Sequence, residues 1–226
     1  MLGTRSIAIA LLLAAAVACD DDSTGTGSTA TLRIANATNT AVDVASSAVI
    51  ATGNANIGFG ASSGCVTTNV FVPDVSVSPT GTTNTFASFT PVLLLGQTFV
   101  VVAFPGFAGA TEFAFITTTL APPVGLAGLR VFNAFAGSGP FDVFVTAPGA
   151  ALGTASATGI GFRTASGFIA VTAGTPEQIR LTNAGTQTVV INAGNITFPA
   201  GTNSVLVIAP PAPGTTAPRT FVVAGC

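Results

Sequence analysis

Short apolar runs alternate with polar residues along most of this chain. In FDVFV, Phe141, Val143 and Val145 fall on one face; in EQIRLTN, Ile179 and Leu181 point one way and Arg180 the other. Such period-two alternation, bounded by Gly, Pro and Asn, predicts half-buried β-strands. The same reading covers TLRIANA, AVDVASSAVI, NVFVPDVSVS, QTFVVVAF, TEFAFITTTL, GLRVFNAF, GFIAVTA, TQTVVINA, NSVLVIA and RTFVVAG. Turn signals recur about every 8 to 12 residues, the spacing of a β-sandwich. Alanine is abundant, yet no helical period appears beyond the N-terminal segment.

That segment is different. Arg5 precedes the apolar run IAIALLLAAAVA, Ile7 to Ala18, and the small residues Ala16-Val17-Ala18 lead to Cys19. A basic start, a short apolar core and small residues describe a secretory signal, and the run is shorter than the roughly 20 residues of a membrane span. AVAC resembles the bacterial lipobox, in which the cysteine is acylated before cleavage. The expectation is therefore a signal peptide over 1–18 and a lipid on Cys19. Asp20, Asp21, Asp22 and the Gly/Ser/Thr-rich STGTGSTAT would then form a flexible tether over 19–30.

The sequence also matches itself. LRIANA, Leu32 to Ala37, returns as LRVFNA, Leu129 to Ala134, at an offset of 97 residues. Val42-Asp43-Val44 returns as Phe141-Asp142-Val143. NIGFGASSG, Asn56 to Gly64, returns as GIGFRTASG, Gly159 to Gly167, and the surroundings of QTFVVVAFP echo those of NSVLVIAPP. The matches keep their order, which predicts two copies of one unit, 31–122 and 127–226, across the Pro/Gly-rich LAPPVGLAG. The fold expected is all-β: two tandem immunoglobulin-like antiparallel β-sandwiches after a signal peptide and tether.

The second copy, with LRVFNA, FDVFVTAPG, GIGFRTASGFIAVTAG, QIRLTNAGT and ITFPAGTNSVLVIA, resembles the bacterial domain of unknown function 4397. The first copy resembles it loosely and drifts between Cys65 and Leu95. Phe168 stands where the family usually has an aromatic hydroxyl, and Asn133 where histidine is frequent. The resemblance implies a β-sandwich outside the cytoplasm and implies no reaction.

Composition narrows the chemistry. The chain has no His, Trp or Tyr, and charged residues make up 6% of it, against about 25% in ordinary soluble domains. Beyond the tether, Arg33, Arg130, Arg163, Arg180 and Arg219 balance Asp43, Asp74, Glu112, Asp142 and Glu177. No basic patch exists for nucleic acid. Zinc, iron and copper sites need His or clustered Cys, a serine hydrolase needs a base, and no cofactor or metal is expected. Cys65 and Cys226 are expected to form a disulfide, the alternatives being an intermolecular bond or free thiols. Asp43 and Asp142 occupy equivalent places. They can be read as ligands for Ca²⁺ or a sugar, or as carboxylates bonding turn amides; the second reading is favoured. Arg33 and Arg130 are also equivalent, and pairing with those aspartates across neighbouring strands is the expectation for them. Phe104 and Phe107 offer either an exposed contact patch or, preferably, inter-domain packing.

Together these features predict a non-enzymatic, lipid-anchored bacterial envelope protein that meets a protein or glycan partner. The alternative is a carboxylate-dependent hydrolase or accessory subunit, which requires two carboxylates to converge in one cleft.

Overall fold

The computed structural model describes residues 29–46, 55–70, 75–82, 87–89 and 95–226. The signal segment, Cys19, Asp20 to Asp22 and Asp74 lie outside these residues. The first half contributes β1 (Thr29–Asn36), β2 (Val42–Ser46), β3 (Val66–Asn69), β4 (Val75–Pro79), β5 (Ala87–Phe89), β6 (Thr98–Pro105) and β7 (Thr111–Thr117). A 3₁₀ turn, Phe107–Gly109, joins the last two. The second half contributes β8 (Leu126–Asn133), β9 (Phe141–Thr146), β10 (Ala157–Ile160), β11 (Ile169–Thr172), β12 (Pro176–Asn183), β13 (Val189–Thr197), β14 (Asn203–Ala209) and β15 (Arg219–Ala224).

These strands form four sheets. Each half has an inner sheet, ordered β3-β1-β6-β7 or β11-β8-β14-β15, and an outer sheet, ordered β2-β4-β5 or β10-β9-β12-β13. The β-sandwich expectation holds. Among the strands of the described residues, pairings are antiparallel except β1 with β6 and β8 with β14, which run parallel. Between the two members of each parallel pair the chain visits the outer sheet twice, returning once to the inner sheet's edge as β3 or β11, and it then re-enters the inner sheet in the direction in which it began.

Three apolar clusters stack between the layers. One, with Leu32, Ile34, Val42, Val77 and Val101, fills the first half. Another, with Leu129, Val131, Val143, Ile179 and Leu181, fills the second. The third joins the two inner sheets through Val100, Val102, Phe104, Phe132, Val205 and Val207. The layers thus run outer, inner, inner, outer.

Alternation explains who faces where, because successive strand residues point to opposite faces. On β6, Phe99 and Val101 enter the first-half core, while Val100, Val102 and Phe104 enter the middle cluster. On β14, Leu206 and Ile208 enter the second-half core, while Val205, Val207 and Ala209 enter the middle one. Both strands are covered on both faces, and so their sequences, FVVVAF and VLVIA, are apolar without interruption.

The register pairs identify matching positions in the two inner sheets. Val100 lies between Arg33 and Ile116, and Val205 between Arg130 and Val223. Arg33 therefore corresponds to Arg130, Thr117 to Ala224, and Glu112 to Arg219.

Candidate functional site

The two aspartates do the same local work. Asp43, on β2, accepts hydrogen bonds from the Asn56 amide at 2.7 Å, the Thr80 hydroxyl at 3.0 Å and the Gly81 amide at 3.0 Å. Asp142, on β9, accepts from the Gly159 amide at 2.8 Å and the Gly185 amide at 2.7 Å. Asn56 and Gly159 both have positive φ, 55° and 68°, so each amide turns back toward its carboxylate. These are turn clasps, as favoured above, with the carboxylate oxygens engaged by the chain itself.

The Asn56 amide, followed by the Gly81 amide, holds the Asp43 carboxyl below the usual aspartate range; burial opposes this, and Thr80 assists less than burial opposes. A carboxyl with a lowered folded-state pKa stabilises the fold above its unfolded pKa, about 3.9, and loses that contribution as pH falls through the folded value. The Asp43→Asn variant is therefore expected to show a shallower loss of stability on acidification below about pH 4. Urea midpoints of the two proteins between pH 2 and 6 check this; parallel curves would rule it out.

Sequence reasoning passed over another matched pair. Asn36 and Asn133 are fully buried at the ends of β1 and β8. Asn36 donates to the carbonyls of Thr40 and Ile57 and accepts from the Thr38 amide at 2.8 Å. Asn133 donates to the Ile160 carbonyl and the Ser138 hydroxyl and accepts from the Phe135 amide at 3.0 Å. Each side chain ties the end of an inner strand to its loop and to the strand-like segment beyond, replacing backbone partners that would otherwise be lost. The signal was present: the same asparagine stands next to last in both LRIANA and LRVFNA.

Arg33 and Arg130 do not pair with Asp43 and Asp142. Arg33 donates to the Ala224 carbonyl at 2.9 Å and contacts Cys65 Sγ at 3.1 Å. Arg130 donates to the Ser166 carbonyl at 2.9 Å and the Thr117 carbonyl at 3.2 Å. The reason is the alternation itself. Leu32 and Ile34 face the first core, so Arg33 faces the other half; Phe141 and Val143 face the second core, so Asp142 points out of the stack. Each arginine is separated from its expected partner by a sandwich core.

Cys65 and Cys226 form a disulfide, with Cα atoms 5.8 Å apart. It ties the start of β3 in the first half to the end of the chain in the second. Phe104 is buried in the middle cluster, as inter-domain packing required. Phe107 is 59% exposed, yet its ring stands edge-on to Phe162 at 4.8 Å and beneath Arg163. Arg163 forms a salt bridge with Glu112 of the first half.

Two cavities open along the joint. One of about 300 Å³ is lined by Thr98, Thr118, Thr202, Asn203 and Cys226, among others. The other, about 250 Å³, lies by Phe104, Phe132, Glu112 and Arg163, and Glu112 is the sole carboxylate in its lining. Among the described residues no three His, Cys, Asp or Glu side chains gather as a metal-binding group. Asp43 and Asp142 sit in opposite outer sheets, and Glu112 in an inner one.

This arrangement defines an all-β protein of stacked sandwiches whose polar residues serve turns and the joint between halves. Residues 127–224, from β8 to the end of β15, match the model of a family described as a domain of unknown function, DUF4397. No curated protein matches the chain.

Proposed function

We propose that the chain is a lipid-anchored, non-enzymatic protein of a bacterial envelope, that both of its halves are copies of the DUF4397 domain, and that it acts as a binding or structural module toward an envelope protein or glycan. The address rests on AVAC followed by three aspartates at Cys19. Two acyl chains anchor stably where one does not, at about 0.8 kcal/mol per buried methylene. The duplication is supported by the matching strand orders of the inner sheets and by the equivalent clasps of Asp43 and Asp142.

The observation that carries the non-enzymatic reading is the use of the carboxylates. Asp43 and Asp142 hold turn amides, and Glu112 holds Arg163. A hydrolase would need two carboxylates in one cleft; these three lie on three different sheets, and Glu177, which shares the sheet of Asp142, stands near the start of β12 while Asp142 pairs with Thr182 near its end.

Thr29 opens β1 at the end of the stack that also carries Thr98 and Cys226. Anchorage at Cys19 turns that end toward the bilayer and presents the opposite end, with Phe107, Arg163 and Arg219, to the surroundings. Metabolic labelling with a tagged fatty acid is expected to mark the wild-type chain and to leave Cys19→Ser unmarked. Equal labelling of both, or of neither, would remove the anchor.

A further inference from the structure

We propose that the face between the two inner sheets also accepts a second copy of this chain, so that when the Cys65–Cys226 bond is open two chains exchange halves and pair first half to second half in trans. The proposal stands whether or not Cys19 carries a lipid.

The arginine contacts across this face are reciprocal. Arg33 of the first half reaches the Ala224 carbonyl of the second, and Arg130 of the second reaches the Thr117 carbonyl of the first. These are matched positions by strand register. Phe59 meets Phe221 edge-on at 5.4 Å, whereas its counterpart Phe162 meets Phe104 at 5.9 Å and not Ala114, the register match of Phe221, so the aromatic packing departs from the symmetry that the arginines keep. The two halves are thus related by an approximate two-fold axis, as the subunits of a symmetric dimer are. Every contact made within one chain is available between two chains, with no new surface needed.

The face cannot stand open. Val100, Val102, Val205 and Val207 are wholly buried by it, and Phe104 and Phe132 nearly so. A half that leaves its partner must find an equivalent one, because an apolar patch of that kind drives association.

Charge decides which half is accepted. Arg163 of the second half meets Glu112 of the first. Its counterpart is Gly60: Gly60 donates its amide to the Asn36 carbonyl, as Arg163 does to the Asn133 carbonyl, and both have positive φ, 75° and 65°. Glycine takes that conformation freely, whereas arginine there is strained. The counterpart of Glu112 is Arg219. Pairing two second halves would set Arg163 against Arg219; pairing two first halves would set Glu112 against Gly60. Only a first half with a second half makes the ion pair, so selection against the wrong partner is built in.

Two covalent links join the halves. Residues 118–125 connect β7 to β8, and Asn203 holds this segment through the carbonyls of Thr118 and Leu120. The disulfide is the remaining covalent link. Thr118, Leu120 and Cys226 line the same cavity, so both ties sit at one end of the face. A dithiol opens the bond by exchange: the disulfide takes two electrons and two protons and becomes two thiols, and the dithiol becomes a disulfide. What then remains is a short hinge.

Full-length Cys226→Ser, labelled with ¹⁵N, and unlabelled full-length Cys65→Ser test this. Neither can close the bond alone. After the two are unfolded together, refolded at high concentration and oxidised, exchange predicts a species of twice the chain mass. That species yields a Cys65–Cys226 linked peptide with one labelled and one unlabelled partner. Mixing the two already folded proteins should give at least tenfold less. Absence of the linked peptide, or equal yield in both arms, overturns the proposal. A second arm uses labelled and unlabelled wild-type chains, reduced, unfolded, refolded and re-oxidised together. There, about half of the linked peptides from the dimer fraction are expected to carry mixed label by random pairing of two copies; none would overturn the proposal even if the single variants failed to fold.

Discussion

Replacing both Cys65 and Cys226 by serine is expected to lower the unfolding free energy by about 5 kcal/mol in the chain-entropy account of cross-links. The bond spans a sequence separation of 161, and a cross-link restricts the unfolded chain more as the loop it closes grows. Both residues are exposed, so serine brings no cavity and the loss is mainly that restriction. Urea titration at low micromolar concentration would show a lower midpoint. It would also show a steeper dependence on denaturant, because the unlinked chain exposes more surface when it unfolds. A change below about 1 kcal/mol would mean that the unfolded chain is already compact enough for the link to matter little.

Phe132→Ala is expected to cost about 3 to 5 kcal/mol, the range for truncating a buried phenylalanine. Its ring is 1% exposed and stands edge-on to Phe104 of the other half at 5.4 Å. The substitution therefore removes apolar burial and an aromatic pair together, at the joint and not inside either sandwich. Each half keeps its own core, centred on Val101 or on Val143. The wild type should consequently melt as one unit and the variant as two, with separate transitions in calorimetry. A single sharp transition at nearly unchanged temperature would show that the joint contributes little.

Much of this was legible in the residues. Alternation in FDVFV and EQIRLTN placed Val143, Ile179 and Leu181 inside, and they are inside. The cysteine pair followed from two thiols left over beyond the N-terminal one. The continuous runs FVVVAF and VLVIA carried a further message: a strand without polar alternation is covered on both faces, which here means a second sandwich against the first. What escaped was whatever depends on which sheet a strand joins. Arg33 and Asp43 are near in sequence, and pairing them assumed neighbouring strands; β1 and β2 belong to different sheets, and that assignment is a long-range fact. The parallel pairing of β1 with β6 escaped for the same reason. The clasps of Asp43 and Asp142 were legible only in part: the Asn56 and Gly159 amides lie 13 and 17 residues away, but the Gly81 and Gly185 amides, 38 and 43 residues away, are brought in by the fold.

The reciprocal joint sets a limit on growth. A contact in which each member offers the same face is saturated by two, unlike a head-to-tail contact, which can continue indefinitely. Lengthening this chain by one more unit of the same kind would leave a bare greasy surface with nothing to meet it. Such modules should therefore be added in couples, or else recruit a stranger to cover the odd one out.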